Sequence, residues 1–458
     1  MEPKSRQLFS VTRKEPELIV PARPTPREVK QLSDIDDQES LRVNLPVIFF
    51  YRNNPSPSMK GKDPAKVIRE ALSKALVFYY PVAGRLQEGP NRKLVVDCNG
   101  EGVLFVEADA DIKLEQLGDS IHPPFPYAEE VMYGIPGFTE IIGCPLLFIQ
   151  VTRLICGGFI LALIFNHTLF DGSGLIQFLK SLMEFARGAD SPSLMPVWQR
   201  EVFNARDPPQ ITCTHHEYKK ENESEGEFVG TMPVEPIKSF YFGPKELNSI
   251  RNHVPPPFRN SSTFELVTAC VWRCRTIALE LDPEQIVRLS SVVNIRGKHY
   301  NIRLPPGYYG NAFASPAVCT KVNDLCENSL GYAVELVKKV KATMNEEYIK
   351  SVADYMVISG RPMLRVEGNF VVSSVSALAV EEIDFGWGKP VYAGPAATLP
   401  SFSFQLKYQN KDGDDGILVL LCMSQATMER FEKELNKITQ GSVDDLYKIE
   451  RAEILSKL

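Results

Sequence analysis

The run Asn166-His167-Thr168 stands directly after the apolar stretch Leu154 to Phe165, and Asp171 and Gly172 follow at once. An imidazole carried to the end of an apolar strand and released at a turn is placed to take a proton from a bound molecule. A lone histidine on such a strand is more often packed into a core. Here Asn166 and Thr168 draw the backbone out of the apolar interior, and Gly172 and Gly174 leave room for another molecule to approach. Asp171 is placed to fix the loop. A second group is "DFGWG", Asp384 to Gly388, where Gly386 and Gly388 flank Trp387 in an irregular loop. A carboxylate in so apolar a loop needs a partner, and Arg296 and Arg85 are the candidates. Packing is the plain reading of Trp387.

Other chemistries find no residues to carry them. The sequence has no G-x-S-x-G, no H-E-x-x-H, no G-x-x-x-x-G-K-[ST] and no G-x-G-x-x-G. His167 with Asp171 supplies two metal ligands at most, so no metal is expected. What remains is a histidine acting alone as general base. A third feature is charge: from Lys245 to Arg303 there are nine basic residues against five acidic ones. They form either a solvated surface or a docking face for a phosphorylated ligand, aided by a helix start at Ser261-Ser262-Thr263.

Strands and helices must hold these groups. "KLVVDC", "VLFVEA", "PLLFIQVTRL" and "GFILALIFN" read as strands. "DPAKVIREALSKALVFY" reads as a helix capped by Asp63, and "SGLIQFLKSLMEFARG" as one opening two residues after Asp171. After residue 230, "SSTFELVTACVWRCRTIAL", "NSLGYAVELVKKVKATM" and "EEYIKSVADYMVIS" are helical, and "LSSVVNI" and "GILVLLCMS" strand-like. Residues 187–230 lose periodicity and gather Pro, Ser and charge, as a crossing linker does. The division is therefore two α/β units, 1–190 and 229–458, joined by a crossover at 191–228.

Net charge is −6, which argues against nucleic acid or an acidic membrane as partner. Nine dispersed cysteines without a C-x-x-C pair fit buried thiols in a reducing compartment. The longest apolar run, "LICGGFILALIF", is too short to span a bilayer. The N-terminal stretch has no apolar segment of a secretory signal. Ser456-Lys457-Leu458 matches the C-terminal address read by the peroxisomal import receptor, so the peroxisome is the expected location, with the cytosol as alternative.

"HTLFDG" and "DFGWG" together resemble the paired H-x-x-x-D-G and D-F-G-W-G motifs of the plant BAHD acyltransferases. "YYPVAGRL" (Tyr79 to Leu86) and "GYYGNAF" (Gly307 to Phe313) resemble two further segments of that family, so the likeness runs the length of the chain. The resemblance implies two chloramphenicol-acetyltransferase-like domains, mixed sheets flanked by helices, with an active-site channel between them in a monomer. It implies an acyl-CoA co-substrate, no permanently bound cofactor, and an alcohol acceptor deprotonated at His167. Trp387 is then the candidate oxyanion donor through its indole N–H, with Asp384 beside it. Asp171 becomes a brace toward Arg296, and Gly172, Gly386 and Gly388 shape the two loops. Arg259, Ser262, Thr263, Lys298 and Asn311 are candidate CoA contacts.

Within the family, "LSDIDDQE", "VDCNGEGVLFVEADAD", "TCTHHEY" and "LGYAVELVKK" are most similar to members that move a benzoyl group from benzoyl-CoA to benzyl alcohol. Such a reaction yields benzyl benzoate and is tied to salicylic acid formation. Leu169 and Phe170 are bulkier than the residues of several relatives, with Phe170 either narrowing the acceptor pocket or packing beneath it. Another acyl donor, an amine acceptor, or a non-catalytic CoA binder are the alternative readings.

Overall fold

The computed structural model describes residues 9–134, 140–218, 235–297 and 300–440. Lys298 and the tail with Ser456-Lys457-Leu458 lie outside them. Two sheets carry the architecture. The first runs Val11–Arg13, Val103–Ala110, Leu147–Leu154, Phe159–Asn166, Asn44–Tyr51 and Tyr392–Pro395, with Glu17–Ile19 also pairing on Val103–Ala110. The second runs Ile237–Phe242, Asp415–Cys422, Phe402–Gln409, Asn369–Ser374, Ile286–Ser291 and Ala317–Lys321. This is a two-domain α/β fold of mixed sheets flanked by helices.

Period-two alternation decides what each face meets. In Asn44–Tyr51, Phe49 and Tyr51 point into a core covered by the helices Pro64–Phe78 and Gly172–Ala186. Ile48 and Phe50 point the other way, onto Leu406, Leu418 and Leu420 of the second sheet. Phe159–Asn166 alternates likewise, with Phe159, Leu161, Leu163 and Phe165 toward the helices and Ile160 and Ala162 toward the second sheet. That is why "FILALIF" is apolar throughout: both faces are covered. The far face of the second sheet packs Thr263–Ala278, Leu330–Thr343 and Gln425–Thr439.

The helices expected from caps form where the caps stand. Asp63 accepts from Ala65 N, and Ser262 closes a capping box with Glu265. Two expectations change. The helix after the histidine begins at Gly172, because Asp171 is itself its cap and accepts from Gly174 N. "LSSVVNI" is split between Ile286–Ser291 and the separate strand Val293–Asn294. One strand departs from its half of the chain: Tyr392–Pro395 adds to the edge of the first sheet, antiparallel to Asn44–Tyr51.

The crossover is packed structure as far as it is described, to Tyr218. Arg200, Phe203, His215 and Tyr218 are all buried. His215 Nδ1 meets Glu217 Oε1 at 3.1 Å and its Nε2 meets Ser351 Oγ at 2.9 Å. This has the outline of a hydrolytic triad, but Ser351 is fully buried and its oxygen also accepts from Thr212 N and Cys213 N. The cluster fastens the crossover to the helix Glu346–Ile358.

Candidate active site

His167 follows the last residue of Phe159–Asn166, its N–H donating to Val43 O at 2.9 Å. Asn166 turns the chain there, since its Oδ1 accepts from Thr168 N and Oγ1. The ring lies 5.9 Å from Phe165 and 5.9 Å from Phe313, centroid to centroid. Nδ1 is buried without a hydrogen-bond partner among the described residues, which leaves Nε2 as the nitrogen open to the space beyond. That space is a cavity of about 340 Å³ between the sheets. Leu45, Val47, Phe165, Phe313, Leu378, Pro395, Phe402 and Phe404 make its wall largely apolar. Ser40, Ser315, Ser373, Ser374 and Thr398 supply hydroxyls.

Asp171 does not hold the imidazole. One carboxylate oxygen caps the helix through Gly174 N, and the other accepts from Ala312 N at 3.0 Å and Arg296 Nη1 at 2.5 Å. Asp171 is thus a brace joining the histidine loop to the "GYYGNAF" segment and Arg296. Gly174 permits the approach, because a Cβ there would fall 1.9 Å from Tyr309 O. At Gly172 a Cβ would strike Leu378 of the cavity wall at 2.5 Å.

The same helix ends at the second motif. Arg187, its C-terminal cap, pairs with Asp384 Oδ2 at 2.7 Å, while Asp384 Oδ1 accepts from Gly386 N and Gly388 N at 2.7 and 2.9 Å. The partner of Asp384 is therefore Arg187, neither Arg296 nor Arg85; Arg85 bonds Gly84 O and Gly102 O and pairs with Glu101. Gly386 and Gly388 hold φ of +104° and +85°, which only glycine adopts without strain. A helix of 15 residues, about 22 Å long, separates the two motifs.

This corrects the catalytic reading of Trp387 and Asp384. Trp387 packs edge-on against Phe159 at 5.6 Å, at the far end of the strand that delivers His167. At ~3.3 Å per residue that puts the indole roughly 25 Å from the imidazole. It cannot donate to an oxyanion formed there, and Asp384 shares its distance. Among the donors that the cavity wall itself offers are its hydroxyls.

The candidate CoA contacts are not gathered at the cavity. Ser262 and Glu265 satisfy one another at the helix start, Glu265 also pairs with Lys341, and Arg259 Nε turns to Val254 O. Thr263 is the first residue of that helix and does not line the cavity. Asn311 is fully buried, bonded to Asp36 and to His167 O. Much of the basic run from 245 to 303 is likewise spent internally, Arg273 on Cys326 O and Arg275 on Pro400 O. Leu169 and Phe170 are fully buried, and Phe170 packs on Phe178 and Tyr309 beneath the loop without lining the cavity. No group of three metal-ligating side chains is assembled among the described residues. No helix among them is long and apolar enough to cross a membrane.

Burial pushes the His167 imidazole below its ordinary value of 6.5, the charge of Asp171 opposing the shift. Only the neutral ring accepts a proton, so activity must fall as pH drops through that lowered value. We expect kcat/KM for the alcohol to be flat at pH 7 and to decline with a midpoint under 6.5. A midpoint at or above 6.5 in a rate–pH profile would contradict the assignment.

Comparison with known proteins gives the family of the chain. The Transferase family model matches residues 9–438. The chain is 56% identical over 443 residues to alcohol acyl transferase 1, allele GSd, of Malus domestica, covering 96% of each. It is 54% identical over 444 residues to the benzyl alcohol O-benzoyltransferase of Petunia hybrida, covering 95% of each. Among solved structures it is similar to vinorine synthase, with a TM-score of 0.73 at 23% identity over 94% of this chain and 98% of that one. It is also similar to F. graminearum TRI101 complexed with coenzyme A and deoxynivalenol, with a TM-score of 0.68 at 15% identity over 90% and 99%. The chain belongs to the BAHD acyltransferases, enzymes that use a CoA thioester as co-substrate.

Proposed function

We propose that this acyltransferase moves a benzoyl group from benzoyl-CoA to benzyl alcohol, giving benzyl benzoate and CoA. The observation that carries it is the open Nε2 of His167 in an apolar cavity walled by Phe165, Phe313, Phe402 and Phe404. Aromatic faces suit a planar acyl group and a small aromatic alcohol. Nε2 removes the hydroxyl proton as the oxygen attacks the thioester carbonyl. A cavity hydroxyl donates to the tetrahedral oxyanion, and collapse releases CoA thiolate, which regains the proton from His167. Ser456-Lys457-Leu458 supports a peroxisomal site for the reaction, and a cavity lined by residues of a single chain is in keeping with a monomer.

The name of the Malus domestica relative specifies an alcohol acceptor and leaves the acyl donor and the class of alcohol open, so the second reading is an aliphatic acyl donor with an aliphatic alcohol. Purified protein offered benzoyl-, acetyl- and hydroxycinnamoyl-CoA against benzyl alcohol, butanol and an amine separates them. We expect benzoyl-CoA with benzyl alcohol to give the highest kcat/KM by thiol release, with ester recovered in equal amount. A tenfold preference for acetyl-CoA with butanol would replace the first reading by the second. Thiol release without an acceptor would indicate a thioesterase.

A further inference from the structure

We propose that Asp36, Arg200 and Asn311 form a buried positioning network that sets the conformation of the His167 loop and hence the aim of its ring. The proposal rests on His167 being the base. Three successive carbonyls leave the loop away from the cavity. Those of His167 and Thr168 accept from Asn311 Nδ2 at 2.9 and 3.4 Å, and that of Leu169 accepts from Arg200 Nη2 at 2.8 Å. Both donors converge on a single oxygen. Asp36 Oδ1 accepts from Arg200 Nη1 at 2.7 Å, from Asn311 Nδ2 at 2.9 Å and from Asn311 N at 2.9 Å. Asp36 Oδ2 is occupied by Ser33 N and Oγ.

The guanidinium of Arg200 is enclosed by rings, 4.3 Å from the Trp198 centroid and 5.0 Å from that of Tyr309. A Cβ at Gly310 would stand 2.2 Å from its Nη1, so the "GYYG" segment is shaped around this side chain. Asp36, Arg200 and Asn311 are at most 1% exposed. A buried ion pair of this kind is no better for stability than apolar residues of equal volume, and its value lies in fixing one conformation. Here it fixes the loop that carries the base from three remote parts of the chain, one of them the crossover.

Arg200→Ala would strand a buried carboxylate and is a poor test. Asn311→Ala keeps the Asp36–Arg200 pair and the bond from the backbone N–H of residue 311 to Asp36, and removes the side-chain hold on His167 and Thr168 together with one of the three donors to Asp36 Oδ1. Arg200→Lys keeps a cation beside Asp36 but lacks the fork that also reaches Leu169. Each is assayed as the full chain with benzoyl-CoA and benzyl alcohol, with His167→Ala alongside and folded fraction measured by circular dichroism. Misplacement of a reacting group by an ångström costs on the order of 100-fold, so we expect kcat to fall roughly 10- to 100-fold while each KM stays within about threefold. A fall in kcat of less than about fivefold per folded Asn311→Ala molecule, or a loss carried by KM instead, overturns the proposal. Should Arg200→Lys not fold, Asn311→Ala decides alone. If His167→Ala itself retains turnover, the reading of the base fails, which is a different result.

Discussion

Replacing His167 by alanine is expected to lower kcat by roughly 10²- to 10⁴-fold, the contribution typical of a positioned general base, in a protein that stays folded. The structure separates the two effects. The ring makes no hydrogen bond through Nδ1 among the described residues, and its accessible edge borders a cavity, so truncation enlarges existing space without stranding a polar partner. The loop is held through its backbone, by Val43 O, Asn311 and Arg200, and those bonds survive the substitution. Thiol release in single-turnover mode, with melting followed in parallel, checks both halves. Turnover within tenfold of the parent would remove His167 as the base. An unfolded variant would show that the ring carries a packing role.

The histidine loop was legible because its determinants are local. Asn166, Asp171 and Gly172 lie within a few residues of one another, and a strand end, a cap and a close turn each have their own residue signature. The Asp171–Arg296 pair came from the family likeness and is present. Ion-pair partners not anchored by a motif were not legible. Asp384 and Arg187 are far apart in sequence and meet because a helix of fixed length spans from one loop to the other. Arg200 was hidden for another reason: it sits in a stretch whose prolines, serines and charges read as exposed linker, and composition says nothing of burial within such a stretch. "NLPVIFFY" and "FSFQLKYQ" form strands that were not among those expected from the sequence. That Tyr392–Pro395 joins the first sheet rather than the second follows from tertiary packing alone.

Trp387 and Asp384 give the second large effect, and it should fall on stability instead of rate. If the indole N–H stabilised the oxyanion, Trp387→Phe would lose about 10²–10³ in kcat, as deletion of such a donor does elsewhere. At the far end of the strand from His167, against Phe159 and in the same buried cluster as Tyr51 and Phe385, the indole is core, so kcat should stay within about twofold. Trp387→Ala should cost about 3–5 kcal/mol through the cavity it leaves. Asp384→Ala deprives Gly386 N and Gly388 N of their acceptor, at about 1–3 kcal/mol for each donor left without water. The pair with Arg187 adds little, because both partners are partly solvated. Chemical denaturation of the three variants, with kcat normalised to the folded fraction, distinguishes the two accounts. A stable, fully folded Trp387→Phe enzyme with a hundredfold lower kcat would put the indole back beside the reacting carbonyl, and no closure of the described loops could bring it there without breaking the helix between Asp171 and Arg187.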